Sequence, residues 1–112
     1  MTRHYRDIPG CPVEVTLDLI NGRWKAVVLH HLLASECLRF NELHRRLPGI
    51  TQRLLTKQLR DLESAGLLTR TVYAEVPPRV EYRLTEEGES LRPLIALAEQ
   101  WGRGRIARQA AG

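Results

Sequence analysis

The side chains of this 112-residue chain best suited to chemistry stand in one run, GITQRLLTKQLRDLESAGLL, from Gly49 to Leu68. Leu55, Leu59 and Leu62 recur at i, i+4 and i+7, the pattern of one buried helix face. Gln52, Arg53, Thr56, Lys57 and Arg60 then project from the other side as a group. Guanidinium, ammonium and amide groups held in a row suit hydrogen bonds to base edges and ion pairs with phosphate. A merely solvated face is the plain alternative, because most charged helix faces are that. The surroundings argue for more. Over residues 39–60, Arg39, Arg45, Arg46, Arg53, Lys57 and Arg60 meet a single acid, Glu42. Such clustering is the electrostatic footprint of a nucleic-acid surface.

The other reactive side chains do not assemble. Cys11 and Cys37 are too few and too far apart for a disulfide scaffold or a four-ligand zinc site. His30 and His31 are adjacent and point apart on a helix, while His44 sits in a separate segment. WGRGR contains Gly-x-Gly, but no strand precedes it and no third glycine follows, so it is not a phosphate loop. No nucleophile has a recognisable base and orienting acid. The sequence therefore predicts no catalytic site, no metal and no cofactor. Cys11 stands before Pro12, near a helix start, where the helix dipole favours thiolate; Glu14 and Asp7 oppose that effect. A small buried hydrophobe is the alternative reading of this cysteine.

The length suits one domain, residues 1–112, with a core that needs no disulfide or metal. Formal charge is +4, almost all the positive residues being arginine, which favours an acidic partner. No apolar run is long enough to span a bilayer, and MTRHYRDIPG lacks the apolar stretch of a signal peptide. The expectation is a cytoplasmic protein.

Elements must position that basic face. Val13 to Ile20 reads as a helix, with Pro12 in its first turn and Asn21-Gly22 as the stop. Trp24, Val27, Val28 and Leu32 mark the buried side of a second helix, and Cys37 to Arg39 reads as a short extended link. Phe40, Leu43 and Leu47 line a third helix ended by Pro48-Gly49. Thr51 caps the basic helix and Gly66 closes it. After Gly66 the period becomes two: Leu68 with Val72, then Val80, Tyr82 and Leu84, predict two antiparallel strands joined by the stiff loop AEVPPR. Thr85-Glu86-Glu87 starts another helix, with Leu91, Leu94, Ile95, Ala98 and Trp101 at helical spacing. Pro93 either kinks that helix or begins a new one. The class is mainly α with a small antiparallel β-hairpin (α+β): a helix-turn-helix followed by a hairpin, which is a winged helix. In such units the second helix enters the major groove of DNA.

The segments CPVEVTLDLINGRWK, LRFNELHRRLPGITQRLLTKQLRDLESAGLL and YAEVPPRVEYRLTEEGESL carry a resemblance to the HxlR-type family of bacterial transcriptional regulators, relatives of the MarR-like winged helices. The likeness covers Cys11 to about Trp101. It implies a homodimer on a pseudo-palindromic duplex, with Thr51 to Ala65 as recognition helix and Val76 to Arg79 near the wing tip. It also implies that the first helix and the C-terminal helical region, about residues 85–108, form the dimer interface. Val15, Leu19, Leu97 and Ile106, outside the assigned core stripes, are compatible with that. Cys11 matches the cysteine of thiol-sensing members, which answer to oxidants or electrophiles. Cys37 matches no marked position; it could pair with Cys11 of the other subunit or simply pack.

The expected DNA-binding set is Arg39, Thr51, Gln52, Arg53, Thr56, Lys57, Arg60 and Arg79. Arg53 and Lys57 are the candidate guanine contacts and Gln52 the candidate adenine reader. Thr56 suits a thymine methyl or a phosphate, and Arg60 a phosphate. Arg79, beyond two prolines, is expected to reach the backbone or the minor groove. The rival function is a winged helix used for protein contacts, against which the basic helix face argues.

Overall fold

Short local signals set the helix boundaries. The computed structural model describes residues 10–112; Asp7 and nearly all of the MTRHYRDIPG segment lie outside the described residues. The order is α1 (Pro12–Ile20), α2 (Lys25–Leu33), β1 (Leu38–Arg39), α3 (Phe40–Arg45), α4 (Gln52–Ser64), β2 (Leu68–Tyr73), β3 (Arg79–Leu84), α5 (Glu86–Glu89) and α6 (Arg92–Ala111). Pro12 opens α1, where its missing N–H costs nothing. Thr51 Oγ1 accepts from Leu54 N at 3.0 Å, which caps α4. At the other end Gly66, with φ +80°, takes the left-handed step that a side chain would resist. Gly66 N then donates to Glu63 O and Leu67 N to Leu62 O, the paired bonds of a Schellman stop.

The strands form one antiparallel sheet in the order β1-β3-β2, so the expected hairpin has a third member. Leu38 and Arg39 of the link pair with Tyr82 and Glu81. Two residues are too short to display an alternating pattern, and only the free edge of β3 makes them a strand. In β2·β3 the register runs from Leu68 opposite Leu84 to Tyr73 opposite Arg79.

The core is chiefly leucine. Val28, Leu29 and Leu32 of α2 meet Leu43, Leu47, Leu55, Leu59 and Leu62, with Leu67, Leu68 and Tyr82 beneath. Burial departs from the expected stripes in three places. Val27 of α2 is exposed and Leu29 is buried in its stead. Val72 is exposed, because β2 beyond Leu68 extends past the helices that would cover it. The third departure is α6. Pro93 begins this helix without kinking an earlier one, and Ile95 is its one buried side chain, while Leu94 and Trp101 stay exposed. Arg92 anchors its start, donating to Leu33 O at 3.1 Å and to Glu89 Oε2 at 2.7 Å. Of these twenty helical residues, about 30 Å of rod, Ile95 near the start is the only one buried among the described residues.

Thr85 joins the helical and sheet layers. Its Oγ1 accepts from Gly88 N at 3.1 Å and donates to Gly66 O at 2.6 Å, tying the start of α5 to the end of α4. Gly88 packs so closely that an added Cβ would overlap the Leu67 carbonyl oxygen and press on Leu84 Cδ2. Because the obstacle is backbone, Gly88→Ala is expected to destabilise the fold by about 1–3 kcal/mol, the cost of overpacking. Urea unfolding checks this; an unchanged midpoint would mean that α5 moves freely.

Candidate nucleic-acid interface

The basic side of α4 is built by its apolar side. Leu55, Leu59 and Leu62 are buried to 0–1 % exposure, which fixes the roll of the helix. At 100° per residue, Gln52, Arg53, Thr56, Lys57 and Arg60 then fall within an arc of about 140°. Gln52, Arg53, Lys57 and Arg60 are exposed and Thr56 is half-buried. The expected group therefore exists as one outward surface. The turn that aims it is braced by a residue the sequence reading passed over: His44 Nε2 is 2.9 Å from Ile50 O, and its ring stacks on Phe40. A ring N–H facing a carbonyl must donate, so this contact fixes the protonated nitrogen and ties α3 to the start of α4. Only the placement of α3 against the turn reveals this role.

The cations on this surface are not equally free. Among the described residues, no ion pair involves Arg39, Arg45, Arg53 or Arg60. Arg39 and Arg45 are exposed and line a cleft between α3 and the β2–β3 loop, or wing. Lys57 is engaged: Nζ donates to Asp61 Oδ2 at 2.9 Å, and Lys25 Nζ lies 3.6 Å from the same oxygen. The Lys57 hydrogen bond is the main cause that holds the Asp61 carboxyl below its ordinary 3.8. Spacing alone signals Lys57 to Asp61 as an i, i+4 pair, but the third member, Lys25, comes from α2 and is invisible in sequence.

Two hydroxyls serve the helix before any ligand. Thr51 is the cap, and Thr56 Oγ1 donates to Gln52 O at 2.9 Å, so no proton remains on it for a phosphate in this arrangement. Arg46 turns to the opposite side, donating to Ser35 Oγ at 3.1 Å. Arg79 does not extend from the wing as expected. It is drawn back against Glu75, Glu81 and Tyr73.

Cys11 is exposed at the N-cap of α1, with no side-chain cap bond. Cys37 is half-buried in the segment that precedes β1. No group of three or more His, Cys, Asp or Glu among the described residues has a metal-holding arrangement. No helix among them is long and apolar enough to cross a membrane.

Exposed apolar side chains also stand on two other helices. Val13, Val15 and Leu17 are exposed on α1, and Leu94, Leu97, Trp101 and Ile106 on α6. Of the four residues expected outside the monomer core, Val15, Leu97 and Ile106 are exposed, whereas Leu19 is half-buried against it.

Comparison with known proteins agrees with this architecture. A family described as HxlR-like helix-turn-helix matches residues 19–110. The chain is 53 % identical over 96 residues to the uncharacterized HTH-type transcriptional regulator YdeP of Bacillus subtilis, covering 86 % of this chain and 74 % of that one. Among solved structures it is similar to the redox regulator HypR in its reduced form, at 45 % identity and a TM-score of 0.83, covering 91 % of this chain and 100 % of that one. Reduced YodB from B. subtilis, a transcriptional regulator, is similar at 32 % identity and a TM-score of 0.71, with 82 % and 90 % covered.

Proposed function

The chain belongs to the HxlR-like helix-turn-helix family of transcriptional regulators, and from that premise we propose that it reads duplex DNA as a homodimer, with α4 in the major groove. The observation that carries this reading is a set of exposed arginines that stand in no ion pair among the described residues: Arg53 and Arg60 on the outward side of the leucine-anchored α4, with Arg39 and Arg45 at the two ends of α3. The anchoring matters as much as the charge. A recognition helix held by three buried leucines loses little freedom when it docks, so its contacts are not spent on ordering it. Arg53, near the N-terminal end that such helices direct at base edges, pairs bidentately with guanine O6 and N7, and Gln52 beside it suits adenine. Arg60, Arg39 and Arg45 contact phosphates and set register. Lys57 reaches a base only by leaving Asp61.

One winged helix offers few phosphate contacts, and two present paired helices to half-sites about 34 Å apart. The bare apolar faces of α1 and α6 supply the pairing surface, as an exposed Trp and several aliphatic residues on a protruding helix favour burial. The described similarity to redox regulators, together with an exposed thiol where α1 begins, supports Cys11 as the input. Modification there would act on the helix that helps to form the dimer, and so on the spacing of the two readers.

Selection of bound duplexes from a random pool, with and without diamide, tests both levels. A two-fold-symmetric site and a steep loss of affinity with salt are expected; a flat salt response would favour protein contacts as the role of α4. Cys11→Ser is expected to abolish the diamide effect while leaving reduced binding intact, and a persisting effect would remove Cys11 as the sensor.

A further inference from the structure

The wing contains a chain of alternating charges centred on Arg79. Arg79 begins β3 directly opposite Tyr73, the last residue of β2. Its Nε lies 3.2 Å from Glu75 Oε2 in the loop and 3.6 Å from Glu81 Oε2 in the strand. Its guanidinium carbon sits 4.1 Å above the Tyr73 ring centre. That Nε is buried, and its hydrogen is aligned with neither carboxylate, so the attraction is between charges. Glu81 also meets Arg83 Nη2 at 3.4 Å, and Arg83 Nη1 reaches to 3.9 Å from Glu36 beside β1.

Two consequences follow. Within the wing, Glu75 and Glu81 pair with Arg79 and Arg83, whereas Arg53 and Arg60 on α4 stand in no ion pair among the described residues. To reach a phosphate, Arg79 would have to give up the Tyr73 ring and both carboxylates, leaving Glu75 unpaired and Glu81 with Arg83 alone. That exchange gains little, since the new ion pair replaces old ones and adds like-charge repulsion.

We propose that Arg79 is a positioning residue, a clamp that closes the loop 74–78 between Glu75 and Tyr73, and that the wing meets DNA through its tip at Val76, Pro77 and Pro78 across the cleft from Arg39 and Arg45. This rests on the reading of the chain as a duplex binder. It has an unusual corollary: Glu75, an acid inside a basic interface, strengthens DNA binding. By charge alone its removal would tighten the complex.

Full-length wild type, Glu75→Gln and Arg79→Gln are titrated with a duplex selected from the random pool, over a series of NaCl concentrations. Amide hydrogen exchange across residues 72–80 is followed in the DNA-free proteins. Both variants are expected to quicken exchange there and to lose affinity to a similar degree. The loss is roughly three- to ten-fold, the size of a partly exposed ion pair with a stacked ring, with the salt slope unchanged. Tighter binding by Glu75→Gln overturns the proposal, as does a salt slope reduced by about one in Arg79→Gln, the sign of a direct phosphate contact. Glu75 lies in the exposed loop, so its substitution leaves the core intact. If wild type binds no duplex, the DNA reading fails and exchange alone decides the clamp, unchanged rates in both variants refuting it.

Discussion

Leu97→Asp is expected to convert the protein to monomers and to lower its affinity for a two-half-site duplex by about 100-fold or more, the gain that linking two binding modules provides. Leu97 is 63 % exposed on α6, so an aspartate there costs the isolated subunit little. In the dimer the same carboxylate would be stranded in apolar surroundings, which costs several kcal/mol per ion. Sedimentation equilibrium gives the assembly state and anisotropy gives the affinity. Retained dimers would place the interface elsewhere, and monomers that bind as tightly as wild type would make pairing irrelevant to affinity.

Arg53→Ala is expected to weaken binding by about 1–3 kcal/mol and to relax preference at one base position in each half-site. Arg53 is the cleaner probe because no described acid shares it and its side chain is exposed. Removing Lys57 should cost less, since DNA must compete with Asp61 and Lys25 contests the same carboxylate. Binding measured across single-base variants of the selected duplex makes the distinction. An equal loss on every sequence would assign Arg53 to phosphate.

The parts of this molecule that the sequence announces are those whose cause is local. Thr51 and Gly66 act within a few residues of themselves, as does Thr85 in capping α5, and each stands where it is expected to stand. The leucine period of α4 is equally local, and so the outward set from Gln52 to Arg60 could be named before its surroundings were known. What stayed hidden depends on partners distant in sequence. Strand β1 exists because β3 offers an edge, and His44 matters because Ile50 turns back toward it.

Helix α6 shows a related limit. Its apolar positions recur at helical spacing, and spacing says that a face will be buried without saying against what. Leu94 and Trp101 remain bare in the subunit, so their period fits contact with another surface. Arg79 gives the converse lesson. Two prolines and an arginine suggested a cation held out to solvent, whereas Glu75, Glu81 and Tyr73 converge on it only once β2 and β3 pair. A charge free in the sequence is not thereby free in the fold.

The claim on which this account turns is that the arginine-bearing side of α4 lies against base edges in the major groove. Guanine N7 methylation interference on the selected duplex tests it most directly, because N7 lies on the major-groove edge. Interference is expected at guanines in two segments centred about 34 Å apart, with one position in each segment losing its effect in Arg53→Ala. Binding that tolerates methylation at every guanine N7 while remaining sequence-specific would contradict it.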